Sequence, residues 1–259
     1  MLACAWALAA DGLQGVASLV RTGDERGALA EIATLPAEAR DEDAVRYLEG
    51  RLLASVGRPC DALAKLADPA PSLPAAMRAD STRRWAAAAA RCGRCEEARP
   101  VLLNAASSII EVTRRDRAIA ADCAIQMGDL ETAAEELDRL TRRSRGSANR
   151  VALLAALSDV YLELGRSDDA RQAAVEAWKS AVEPGQQAVA QKLEERASPE
   201  LTDRIARAEN LMSARRFTRA VDELESLEVG DEDAQRARWH HVYGMALFRT
   251  RTRYLDAAR

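Results

Sequence analysis

The stretch LSDVYLELGRSDDARQAAVEAWKSAVEP, residues 157–184, decides the fold. Leu157, Ser158 and Tyr161 share one helical face, Gly165 interrupts the pattern, Ala170 and Ala177 resume it, and Pro184 closes it. Glycine just past a helix end adopts a left-handed backbone without steric strain, so Gly165 predicts a turn between two helices. The small residues fall where the helices cross, and the tyrosine wedges the pair apart. Working outward, an alanine follows five residues after a turn glycine at Gly23 and Ala28, Gly57 and Ala62, Gly93 and Ala98, and Gly128 and Ala133, as at Gly165 and Ala170. Arg215 with Ala220 and Thr252 with Ala257 repeat the spacing without the glycine. Successive turns lie 34, 36, 35, 37, 50 and 37 residues apart. Periods of this size mean stacked helical hairpins, not a single globular core. The fold class read here is all-α, an α-α superhelix or solenoid of about seven helix hairpins.

Gly50, Ala86, Ala121, Ser158 and Ala208 each stand seven residues before a turn and supply a small residue there. With the glycines, the alanines and Tyr161, this set resembles the tetratricopeptide repeat, a helix hairpin of about 34 residues. The chain departs from that pattern in having no tryptophan at the opening position and only Tyr161 at the aromatic one, with Leu53, Leu211 and two alanines standing in elsewhere. The resemblance implies an open inner wall lined by the first helix of each pair. In the family's register the lining residues are Tyr47 and Arg51 in unit two, Arg83 and Arg91 in unit three, Asp122 and Gln126 in unit four, and Asp159 and Glu163 in unit five. Such a groove is basic at one end and acidic further on. Alanine or acidic residues replace several lysines and asparagines that clamp a terminal carboxylate in some repeats of this kind.

The organisation follows. Residues 1–10 read either as the remnant of a signal peptide, with Ala7, Leu8 and Ala9 as its small-x-small cleavage pattern but no charged leader, or as the start of a first helix. Residues 11–184 form units one to five, 185–198 an inserted short helix, and 199–259 units six and seven. The seventh ends shortly after its turn, so the expectation is a fragment of a longer protein. Pro69, Pro71 and Pro74 mark a loop that no helix can cross, and Pro100 is expected to kink or delay the second helix of unit three.

The net charge of −4 argues against a nucleic-acid partner. The arginine clusters at Arg114, Arg115 and Arg117, at Arg142, Arg143 and Arg145, and at Arg249, Arg251 and Arg253 read as solvated faces and helix C-terminal turns. No apolar run reaches the roughly 20 residues of a membrane span. Cys92 and Cys95 form a C-x-x-C across the third turn, with Cys60 similarly placed in the turn before. They read as structural thiols, a local disulfide or a bridge between neighbouring turns. A zinc site would want four ligands, and His240 and His241 lie far along the chain, so no metal is assigned. Cys123 reads as helix packing. No histidine or carboxylate pair, nucleophile elbow or phosphate-cradling loop is recognisable, so no catalytic residue and no cofactor are assigned.

Trp239, His240, His241, Val242, Tyr243, Gly244, Met245, Ala246, Leu247, Phe248 and Arg249, followed by Arg251, Arg253, Tyr254 and Ala257, resemble a repeat found ahead of the catalytic domain of bacterial soluble lytic transglycosylases. In that family a helical superhelix precedes a lysozyme-like domain that cleaves peptidoglycan with a glutamate followed by a serine. Glu225 and Ser226 are such a pair but lack the flanking motif, and carry no catalytic role here. The resemblance implies a non-catalytic arm of a periplasmic enzyme, with protein or peptidoglycan as partner. The alternative is a general protein-interaction adaptor, in the periplasm or the cytoplasm.

Overall fold

A computed structural model describes residues 13–103, 112–144, 149–225, 227, 229 and 233–250. The segment 1–10, Ser226, Arg145, Arg251, Arg253, and the Thr252 and Ala257 pair lie outside the described residues. Among those described there is no strand. The chain divides into two compact units, Met1–Glu136 and Leu137–Arg259.

In unit 1, helix α1 (residues 13–22) pairs with α2 (Glu25–Thr34), and a short α3 (Ala37–Arg40) leads to the pair α4 (Asp43–Ser55) and α5 (Pro59–Leu66). The pair α6 (Ala75–Arg91) and α7 (Cys95–Leu103) follows, then α8 (Arg114–Gln126) and the start of α9 (Leu130–Arg142). Unit 2 holds the remainder of α9, the pair α10 (Asn149–Glu163) and α11 (Ser167–Ser180), a 3₁₀ turn at Pro184–Gln186, α12 (Gln187–Ala197), the pair α13 (Leu201–Ser213) and α14 (Phe217–Glu225), and α15 (Asp233–Thr250). The fold is an all-α repeat of helix hairpins.

The turns explain why the glycines recur. Gly23, Gly57, Gly93, Gly128 and Gly165 have φ between 73° and 86°, and Arg215 takes the same left-handed region at 59°. The next residue donates its N–H back across the turn, from Asp24 to Leu19, Arg58 to Leu53, Arg94 to Ala89, Asp129 to Ala124, Arg166 to Tyr161 and Arg216 to Leu211, at 2.8–2.9 Å. That six-to-one bond satisfies a carbonyl that the ending helix leaves free. The same residue opens the second helix. Asp24 accepts from the Gly27 N–H at 2.9 Å. In three of the four turns where it is arginine, a carboxylate three residues on pairs with it, Arg58 with Asp61, Arg94 with Glu97 and Arg166 with Asp169, whereas Arg216 pairs with Glu183.

Five residues after each described turn the alanine is sealed: Ala28, Ala62, Ala98, Ala133 and Ala220 are 0% exposed and Ala170 is 1%. Nine residues after the turn a second position is buried too, by Ile32, Leu66, Leu102, Leu137, Ala174 and Leu224. Positions four apart share a helix face, so this pair forms the stripe each second helix turns inward. The opposing small residue is required by proximity: a Cβ built on Gly50 would stand 2.7 Å from the Leu66 side chain. At the equivalent place Ser158 donates its hydroxyl to the Ala170 carbonyl at 2.9 Å, so its oxygen is buried without cost.

Unit 1 carries two disulfides, Cys60–Cys92 and Cys95–Cys123, with Cα separations of 5.6 and 5.1 Å. The C-x-x-C therefore does not close on itself. Its first cysteine, capping α6, bonds back to α5, and its second, opening α7, bonds forward to α8. Closing loops over separations of 32 and 28 residues removes unfolded-chain entropy worth about 3–4 kcal/mol per bond. Helix α7 starts at Cys95 and runs through Pro100, so the proline does not delay it.

Unit 2 has no cysteine, and its centre is Trp178, fully buried with Val151, Leu154, Ala174, Ala177 and the inserted helix's Ala190, Leu193 and Ala197. Burying a side chain of that size contributes roughly 3 kcal/mol. Helix α12 ends at Ser198, which takes a left-handed φ of 43° as its C-cap.

Candidate functional site: a cleft on the first helices of unit 1

First helices α4, α6 and α8 are neighbours, and a cleft of about 310 Å³ opens on them. Ala54 and Ser55 come from the end of α4, Asp80, Arg83, Arg84, Ala87, Ala88 and Arg91 from α6, and Thr113, Arg115, Asp116 and Ile119 from the start of α8. The floor is apolar and the rim is charged. Helix periodicity on α6 explains the lining, since Asp80, Arg84, Ala87 and Arg91 follow one face at three- and four-residue steps.

Two of the four arginines are committed to aspartates. Arg83 Nε lies 3.1 Å from the buried Asp116, which also accepts from the Thr113 backbone N–H at 2.8 Å and hydroxyl at 2.7 Å. Thr113 and Asp116 thus form a capping box at the start of α8. Arg84 Nε lies 2.5 Å from Asp80, which accepts from the Tyr47 hydroxyl at 2.6 Å. Burial pushes the Asp80 carboxyl up, but the hydrogen bonds from Tyr47 and Arg84 and the positive field of Arg84 and Arg51 outweigh it and hold it below the ordinary carboxylate range. Burial, the bond to Asp80 and the Asp80 charge raise the Tyr47 phenol. Each of the two aspartates is held by one guanidinium and one hydroxyl.

The remaining cations face solvent. Arg91 reaches the Ala54 carbonyl at the end of α4, at 3.4 Å, where the helix macrodipole favours a cation. Among the described residues Arg115 makes no ion pair. Arg51, one turn before Ser55 on α4, is exposed and likewise has no carboxylate at ion-pair distance, although its field reaches Asp80.

Of the residues expected in the groove, Arg83 and Arg91 line the cleft and Arg51 borders it. The Tyr47 ring does not line it: it is buried in the core with Leu53, Ala62 and Leu66, and only its hydroxyl points toward Asp80. Asp122 and Gln126 are exposed further along α8. Asp159 and Glu163 belong to unit 2, where Asp159 is paired with Arg196 of α12. Arg84 and Arg115 were missed. Arg114, Arg115 and Arg117 occupy the first turns of α8, placed there by the Thr113 cap; Arg114 and Arg115 are exposed, as a solvated face requires, and Arg117 pairs with the buried Glu136 at 2.9 Å. The Thr-x-x-Asp pattern at Thr113 and Asp116 was the available signal.

In unit 2 a half-buried network is built on Arg204, Arg207 and Glu223. Arg207, 4% exposed, donates to the Trp178 and Ala181 carbonyls, lies 3.1 Å from Glu223 and stacks 4.5 Å from the Trp178 ring centroid. Arg204 bridges Glu194 at 2.6 Å and Glu223 at 2.8 Å. Burial raises the Glu223 carboxyl against the pull of Arg207 and Arg204, and burial lowers Arg207. Trp239 donates to the Leu224 carbonyl and stacks on Tyr243, with His240 edge-on, which is a packing arrangement. Among the described residues no three histidine, cysteine, aspartate or glutamate side chains come together as a metal set, and no helix is long and apolar enough to cross a membrane.

No protein-family model matches the chain, and no curated protein matches its sequence. Among solved structures it is similar to a crystal structure of the P58(IPK) TPR domain, at 14% identity over 96% of this chain and 80% of that one, with a TM-score of 0.32. Its own left-handed turns and sealed alanines, recurring at the spacing the sequence displays, make the chain an all-α repeat of helix hairpins.

Proposed function

We propose that this chain is a non-catalytic scaffold that holds a segment of a partner protein in the unit 1 cleft. The observation that carries the reading is the cleft itself: an apolar floor of Ala54, Ala87, Ala88 and Ile119 under a rim where, among the described residues, Arg91 and Arg115 have no carboxylate at ion-pair distance. An apolar concavity with a few directed polar groups is the usual form of a recognition site. Asp80 and Asp116 are tied to tyrosine, threonine and arginine, which suits a rim held in place more than acid/base work. The test is selection of peptides from a displayed library on the immobilised protein, repeated on Ala87→Trp, which fills the cleft, and on Gln172→Trp, an exposed site on α11. Loss of the selected peptides on Ala87→Trp alone supports the reading; peptides indifferent to that change refute it.

A narrower reading makes this scaffold the N-terminal arm of a periplasmic peptidoglycan lytic transglycosylase. It rests on the similarity of residues 239–257 to the repeat that precedes such catalytic domains. The two disulfides favour the exported compartment it needs, because paired cysteines persist under oxidising conditions. Co-sedimentation with purified peptidoglycan sacculi would support this arm, and a chain left wholly in the supernatant would leave the general protein-interaction adaptor as the reading.

A further inference from the structure

The charge left over on the cleft says what kind of segment fits it. Four arginines and two aspartates line the cavity. The aspartates neutralise Arg83 and Arg84 and fix their positions, which leaves two positive charges on Arg91 and Arg115 and a third beside them on Arg51. The chain as a whole carries −4, so this local excess runs against the background field. Exposed guanidinium groups offer planar pairs of N–H donors that match carboxylates two at a time.

We infer that the occupant of the cleft is an acidic peptide segment, its carboxylates engaged by Arg51, Arg91 and Arg115 and its small apolar side chains set on Ala54, Ala87, Ala88 and Ile119. This rests on the proposed scaffold function and names its ligand chemistry. A volume of about 310 Å³ admits only a few side chains, so the contact is short and its affinity depends on the charges at the rim. The rim is open to solvent, and added salt weakens the complex.

The experiment is fluorescence anisotropy with a fluorescein-labelled peptide alternating glutamate with alanine and leucine, its glutamine counterpart, and a single-stranded oligonucleotide. Wild type is expected to bind the glutamate peptide at least about tenfold more tightly than the glutamine peptide, and Arg91→Glu with Arg115→Glu is expected to remove that preference. The milder Arg91→Gln with Arg115→Gln is expected to weaken it in part. Arg40→Glu with Arg143→Glu, which changes the net charge equally at exposed arginines outside the cleft, is expected to leave it intact. Helical circular dichroism verifies that each variant is folded. Equal binding of both peptides, equal loss in the control variant, or preference for the oligonucleotide overturns the acidic occupant. If library peptides still depend on Ala87 in that case, the scaffold function stands without it; if no peptide depends on Ala87, both readings fall.

Discussion

Units 1 and 2 build the same hairpin and hold it by different means. Unit 1 ties successive hairpins covalently, through Cys60–Cys92 and Cys95–Cys123, and leaves arginines over on its first-helix face. Unit 2 has no cysteine and pairs several of its cations internally, Arg204 and Arg207 with Glu194 and Glu223, Arg196 with Asp159, and Arg238 with Glu209. The contrast teaches that a repeat fixes where the helices go but not what its surface is for. In unit 1 the disulfides stand beside exposed arginines; in unit 2 the inserted helix is held by Ala190, Leu193 and Ala197 packed with Trp178, and its Glu194 and Arg196 pair with Arg204 and Asp159.

The largest effect that would break the comparison is in unit 2. Trp178→Ala is expected to cost about 3–5 kcal/mol, from the lost burial and the cavity left beneath Arg207, in urea unfolding followed by circular dichroism. In unit 1 the matching change is Cys60→Ser with Cys92→Ser, expected to cost about 3–4 kcal/mol in the same measurement, with reduction of the wild type giving a loss at least as large. If reduction leaves stability unchanged, the covalent half of the contrast is wrong.

Smaller effects sharpen the shared part. Gly50→Ala places a methyl group 2.7 Å from Leu66 and is expected to destabilise unit 1 by about 1–3 kcal/mol. Arg215→Gly relieves a left-handed non-glycine turn in unit 2 and is expected to stabilise it by about 1 kcal/mol.

The smallest effect is a difference of sign with pH. Asp80 is held below the ordinary carboxylate range, so the stability it contributes is present above its unfolded pKa and is lost as pH falls through its folded pKa. Glu223 is raised, so keeping it ionised costs stability above its folded pKa, and that cost is lifted as pH falls. Thermal melts across the acid range are expected to show a shallower fall for Asp80→Asn than for wild type.

The hairpins were legible because sterics write them into single positions. A left-handed turn selects glycine, and two backbones in close contact select glycine, alanine or serine, so Gly57, Gly50 and Ala62 each report their own geometry. Arg215 shows the limit, since only its period revealed that it fills a glycine's place. The cleft was legible in part. Arg83 and Arg91 followed from helix register, whereas Tyr47 did not, because a tyrosine on the inner stripe can bury its ring and expose only its hydroxyl. Arg115 did not follow from the repeat register, because it stands in the first turn of α8, positioned by the Thr113 capping box and not by the inner stripe. The disulfide partners depend on which helices neighbour one another in space, which cysteine spacing does not state.

The placement of the partner segment is tested most directly by photo-crosslinking. The acidic peptide, carrying a benzophenone side chain, is irradiated with the intact chain, and the modified residues are mapped by mass spectrometry. Crosslinks are expected on α4, α6 and the first turns of α8, around Ala54, Ala87 and Ile119, and are expected to vanish in Ala87→Trp. Crosslinks confined to unit 2, or an unchanged pattern in Ala87→Trp, would contradict a binding cleft on the first helices of unit 1.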